Sequence, residues 1–112
     1  MPEFTFRWER PVHEVSPALH DGMSAWLGQI DSLDAPDRKT HELIRMVCTV
    51  IARNPEGIRR HAMLAREVGA TWADVVGSIM LTAPAFGILA ATEALPHARE
   101  GFDSAPQIED DD

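Results

Sequence analysis

The sequence predicts an all-α fold, a helical bundle of about five helices around a central helical hairpin, and three observations carry that reading. Apolar residues recur at three- and four-residue spacing through successive stretches of the 112-residue chain. Capping residues and prolines stand in front of those stretches, where a helix needs them. No segment makes a convincing set of paired strands.

The first thirteen residues read as irregular. Phe4, Phe6 and Trp8 alternate there, a pattern open to a short strand but better suited to an aromatic arm packed on the body or on a neighbouring subunit. A first helix is expected from about Pro17 to Ile30. Leu19, Met23, Trp26, Leu27 and Ile30 share a face, Ser16 suits the N-cap and Pro17 the first turn. The next helix is expected to take Asp34 as its cap, with Pro36 in the first turn and Asp37 three residues after the cap, where negative charge suits the helix dipole. Leu43, Ile44, Met46, Val47, Val50 and Ile51 cover a wide face of it, which marks a central helix.

Asn54-Pro55 ends that helix, since a residue before proline is pushed out of the helical region. Pro55 opens a third helix that stops at Gly69, a natural left-handed terminator. Ile58, Ala62, Ala65 and Val68 form its buried stripe with Leu64 beside it, and His61 points with the stripe. Arg59, Arg60, Arg66 and Glu67 take the outer side. Thr71 with Asp74 reads as a capping box for a fourth helix carrying Trp72, Val75, Val76, Ile79, Met80 and Ala83, which Pro84 kinks or stops. A last helix is expected over Phe86 to Arg99. Its small residues Gly87, Ala90, Ala91 and Ala94 permit close approach and suit a subunit contact. Residues 1–101 are read as one domain and 102–112 as an acidic disordered tail.

Composition narrows the function. Hydrophobic content of 45% fits a globular protein, and no apolar run approaches the roughly 20 residues that span a membrane. No secretory leader is evident at the N-terminus, so a cytoplasmic protein is expected. The net charge is −8, but five acidic groups sit in the last eleven residues, so the body is only mildly acidic. Its arginines are scattered rather than clustered, which argues against nucleic acid. The single cysteine, Cys48, allows no intrachain disulfide, and it reads as a small core residue. His13, His20, His41 and His97 show no metal-ligand spacing, so neither a metal nor another cofactor is expected.

Chemistry concentrates between Glu42 and Gly69. A carboxylate near the start of one helix and an imidazole on the apolar side of the next are a pair able to pass a proton. The bland alternatives are a core histidine and a surface acid paired with Arg45 or Arg38.

From about Leu33 to Leu95 the chain resembles the carboxymuconolactone decarboxylase and alkylhydroperoxidase D superfamily. The resemblance lies in an acidic residue in one helix (Glu42), a helix break (Asn54-Pro55) and then His61, Ala65, Gly69, Ala70 and Thr71 in the order H-x-x-x-A-x-x-x-G-A-T, followed by APAFGILAATEAL. In the peroxidase branch of that superfamily a C-x-x-C stands before the histidine. Asn54 and Gly57 occupy those positions here, so a peroxidase that depends on such a pair is excluded. The resemblance therefore implies the decarboxylase-like branch: a lyase acting on a small carboxylated, lactone-like substrate. It further implies His61 as proton donor or relay, Glu42 or Glu56 orienting it, Arg45 or Arg60 holding substrate charge, and a homotrimer or hexamer. A non-catalytic binding or accessory protein of the same fold is the alternative.

Overall fold

The computed structural model describes residues 3–105, which divide into two compact units, one up to Asp34 and one from Ala35 onward. Among the described residues there are seven helices and no strand. The all-α reading holds, with two short helices beyond the five expected.

The first unit holds α1 (Glu9–Val15) and α2 (Pro17–Asp31). The stretch read as irregular thus becomes helical from Glu9. The Glu9 carboxylate takes up the backbone N–H groups of Thr5 and Phe6, each at 2.8 Å, so the turn ahead of the helix is satisfied locally. Ser16 caps α2 as expected, its hydroxyl oxygen accepting the Leu19 N–H at 3.1 Å. Neither helix buries a residue. Instead the aromatic residues close on two imidazoles: Phe4 lies 5.3 Å from His13 and 5.1 Å from His20, and Trp8 lies 5.5 Å from His20.

His20 is gripped from both sides, Nε2 at 3.1 Å from Glu9 and Nδ1 at 3.2 Å from Asp21. Both carboxylates favour the charged ring, Glu9 most, so its pKa is raised above 6.5. A raised folded-state pKa means the stabilisation is fully present below the unfolded value and is lost as pH rises through the folded one. An NMR titration is expected to place His20 above 6.5, and Glu9→Gln to bring it back down. An unchanged midpoint in the variant would remove Glu9 as the cause.

The second unit is built on a helical hairpin, α3 (Arg38–Ile51) and α4 (Pro55–Glu67), followed by α5 (Trp72–Met80), α6 (Ala83–Phe86) and α7 (Ile88–Ser104). Asp37, not Asp34, caps α3: its carboxylate accepts the Thr40 N–H at 2.9 Å, and the helix starts only after it. The hairpin turn follows from three residues. Arg53 takes a left-handed conformation (φ 54°), Asn54 is extended and caps α4 through the Gly57 N–H at 3.1 Å, and Pro55 fills the first turn. The approach is tight there, since a Cβ on Gly57 would lie 2.6 Å from Thr49 Cγ2.

Gly69 (φ 101°) ends α4 as the sequence suggests. The helical conformation already lapses at Val68, which turns outward and is exposed rather than part of the stripe. Thr71 and Asp74 form the expected capping box, with bonds of 3.0 and 2.9 Å. Pro84 opens the four-residue α6, and Gly87 (φ 98°) separates it from α7.

Met46 and Val50 from α3, Ile58, Ala62 and Ala65 from α4, Val75 and Ile79 from α5, and Ala91, Ala94 and Ala98 from α7 make the core. Burying each of the larger side chains contributes roughly 1.5–3 kcal/mol. The small-residue face of α7 is spent inside the chain against α4, which corrects its reading as a subunit contact. A Cβ on Gly101 would stand 2.0 Å from the Arg59 carbonyl oxygen. Because α7 runs to Ser104, Phe102 belongs to the fold rather than to a tail. Its ring sits 5.5 Å from Trp72, with the Arg66 guanidinium 4.7 Å above it. The tail reading for the residues after 105 lies outside the described residues. No helix among the described residues is long and apolar enough to cross a membrane.

Candidate functional site

The helical period decides what α3 offers to each side. Glu42, Met46 and Val50 follow one another at four-residue spacing and face inward. Ile44, Cys48 and Ile51 form a second row, and they are exposed. The wide apolar face is therefore split between core and surface, and Cys48 is not the core residue the sequence suggested.

Glu42 is buried, at 6% exposure, an uncommon place for a carboxylate without a partner. Its partner comes from the facing helix. The hairpin turn brings α4 back along α3, and His61 Nδ1 reaches Glu42 Oε1 at 3.1 Å. The two groups named as a proton-passing pair are thus joined directly, nineteen residues apart in sequence.

A carboxylate only accepts, so in the neutral ring Nδ1–H donates to Glu42 and the lone pair is left on Nε2. Nε2 has no partner among the described residues. Among those residues every buried side-chain nitrogen or oxygen has a hydrogen-bond partner, so Nε2 must reach the surface. The His61 side chain is 17% exposed, consistent with a ring held by one edge and open at the other.

Burial lowers the His61 pKa below 6.5, against the upward pull of Glu42, and the positive charges of Arg45 and Arg60 lower it further. Both arginines named as substrate holders therefore act on this imidazole. Glu56 lies on the exposed first turn of α4, and Glu42 rather than Glu56 orients the ring. His41, next to Glu42, is also buried, and Arg38 donates to its Nδ1. Among the described residues no three His, Cys, Asp or Glu side chains come together in a way that would hold a metal ion.

A groove of about 410 Å³ lies on the other side of α3, between its second row and α5–α6. It is walled by Ile44, Val47, Cys48, Leu81 and Phe86. Sequence reading missed it. The signal was the apolar face of α3, wider than one neighbouring helix covers, together with the stop at Pro84 that shortens α5. Glu42 and His61 do not line it.

The sequence model of the Carboxymuconolactone decarboxylase family matches residues 17–100, well over half of the chain. No curated protein and no solved structure matches it.

Proposed function

We propose that this chain, which belongs to the carboxymuconolactone decarboxylase family, is a lyase that releases CO2 from a small carboxylated lactone. One observation carries the reading: a buried carboxylate holds an imidazole whose second nitrogen reaches the surface, within the field of two arginines. Loss of CO2 leaves an electron pair that the lactone's conjugation takes up as a dienolate, and carbon then needs a proton. Arg45 or Arg60 holds the anionic substrate, and His61, charged by a proton from solvent, delivers it from Nε2. Glu42 orients the ring and steadies its charge. No redox thiol takes part.

The test is CO2 release from a panel of carboxylated γ-lactones. No release above background from any of them, or release undiminished in His61→Gln, would end the proposal. The pH dependence has a definite sign. The donor is the protonated ring, whose pKa is brought below 6.5 by burial and by Arg45 and Arg60, against the upward pull of Glu42. kcat/KM for CO2 release is therefore expected to climb as pH falls from 7 through that pKa. A profile that is flat or falls in the same range would remove His61 as the donor.

Assembly as a homotrimer or hexamer and a cytoplasmic setting belong to this proposal, and the exposed apolar side chains Ile44, Leu81 and Phe86 support association. A second reading, binding without turnover, is favoured by the 410 Å³ groove that the pair does not line. Saturable binding of the same lactones without CO2 release, unchanged in His61→Gln, would select it.

A further inference from the structure

Two different bonds lead to one dienolate. The proposed lyase reaction reaches it by breaking C–COO⁻. The lactone that lacks that carboxyl reaches it by losing a proton from the same carbon. What faces the carbon decides which route a protein supports, and here the geometry is specific. Nδ1–H is committed to the Glu42 oxygen at 3.1 Å, so the neutral ring presents the Nε2 lone pair, which has no partner among the described residues and reaches the surface. That is a base, held at a fixed angle by a buried carboxylate.

We infer that the Glu42–His61 pair also catalyses allylic proton transfer, moving the ring double bond of unsaturated γ-lactones that carry a side-chain carboxylate, with no loss of carbon. The substrate placement rests on the function proposed above. Nε2 takes the proton from the ring C–H, and the bonding pair enters the conjugated system, leaving negative charge on the lactone oxygen. The imidazolium so formed keeps its Nδ1–H bond to Glu42. It then returns a proton from Nε2 to a different ring carbon, whose new C–H bond is made from the dienolate π electrons. Charge and atoms close without oxidant, metal or second reactant. Burial favours the neutral ring, which keeps the base available near neutral pH. Arg45 and Arg60 add positive potential at the ring, which suits both the side-chain carboxylate and the developing oxyanion.

The experiment follows a carboxymethyl-substituted butenolide in D2O by proton NMR, with CO2 release from its ring-carboxylated counterpart measured in parallel. The imidazolium exchanges with solvent, so deuterium is expected at ring carbon together with migration of the double bond. His61→Gln, with folding confirmed by circular dichroism, is expected to slow both by about 10²-fold or more. The exchange rate is expected to rise with pH through the His61 pKa, opposite in sign to CO2 release.

Exchange and migration without CO2 release would uphold this inference and remove the lyase reading. CO2 release without exchange or migration would overturn the inference and leave the lyase reading standing. Neither activity would overturn both. Exchange that persists in folded His61→Gln would overturn the assignment to Nε2.

Discussion

Gly101→Ala is expected to destabilise the fold by about 3 kcal/mol or more, a large change for one methyl group. The added carbon would stand 2.0 Å from the Arg59 carbonyl oxygen and 2.7 Å from its Cα, and both are backbone atoms of α4. No side-chain rotation relieves such a contact. The two helices must move apart, and α4 on α7 is the most extensive packing in the second unit, with Ala62, Ala65, Ala94 and Ala98 buried in the same core. The loss is read as a drop in thermal midpoint at one fixed protein concentration, because association stabilises by mass action. Gly77→Ala in α5 is the matched control: nothing lies within 4 Å of its added carbon. There alanine is expected to be neutral or to stabilise by roughly 0.5–1 kcal/mol. If Gly101→Ala melted with the control, the close approach of α7 to α4 would be wrong.

The second large effect falls on activity. His61→Gln is expected to lower CO2 release about 10²–10⁴-fold, the usual worth of a positioned proton-transfer group. Glu42→Gln keeps an oxygen able to accept Nδ1–H but removes its charge, so the ring stays oriented while its protonated form loses support. Its loss is expected to be real but smaller than that of His61→Gln. Both variants leave the backbone packing untouched, and their thermal midpoints are expected to stay closer to wild type than that of Gly101→Ala. The order of the two activity losses is the discriminating result. A Glu42→Gln variant as inactive as His61→Gln would mean that the charge, and not the orientation, is what Glu42 supplies.

Local signals were legible where one or two residues settle the geometry. Ser16, Asn54-Pro55, Gly69 and the Thr71–Asp74 box each mark a helix end, because their hydrogen bonds and φ preferences involve only neighbours in sequence. The pairing of Glu42 with His61 was also legible, since a short hairpin turn leaves the facing residues little choice of partner. What failed were readings that depend on what the rest of the chain covers. Ile44 and Cys48 look like core residues by composition, yet α5 ends at Met80 and leaves them open. The alanines of α7 look like a surface for another subunit, and α4 covers them instead. Phe102 was assigned to the tail because acidic residues follow it, while its ring contact with Trp72 is invisible to local pattern. Asp34 reads as the cap of α3 with Asp37 in its first turn, yet it is Asp37 that accepts the Thr40 N–H, one turn later than local pattern suggests.

The tight hairpin limits which side chains its turn can host. In the superfamily branch that uses a thiol pair, the two cysteines fall where this chain has Asn54 and Gly57. A side chain at position 57 would begin 2.6 Å from Thr49 Cγ2, and Thr49 is held in place by its hydroxyl bond to the Met46 carbonyl at 2.6 Å. Position 54 is occupied by the cap that starts α4. A thiol at position 54 would uncap α4, and one at position 57 would crowd Thr49, so a thiol pair fits this turn only if Thr49 also gives way. The loop is thus fitted to asparagine and glycine, and grafting a thiol pair onto it asks for more than the two changed letters suggest.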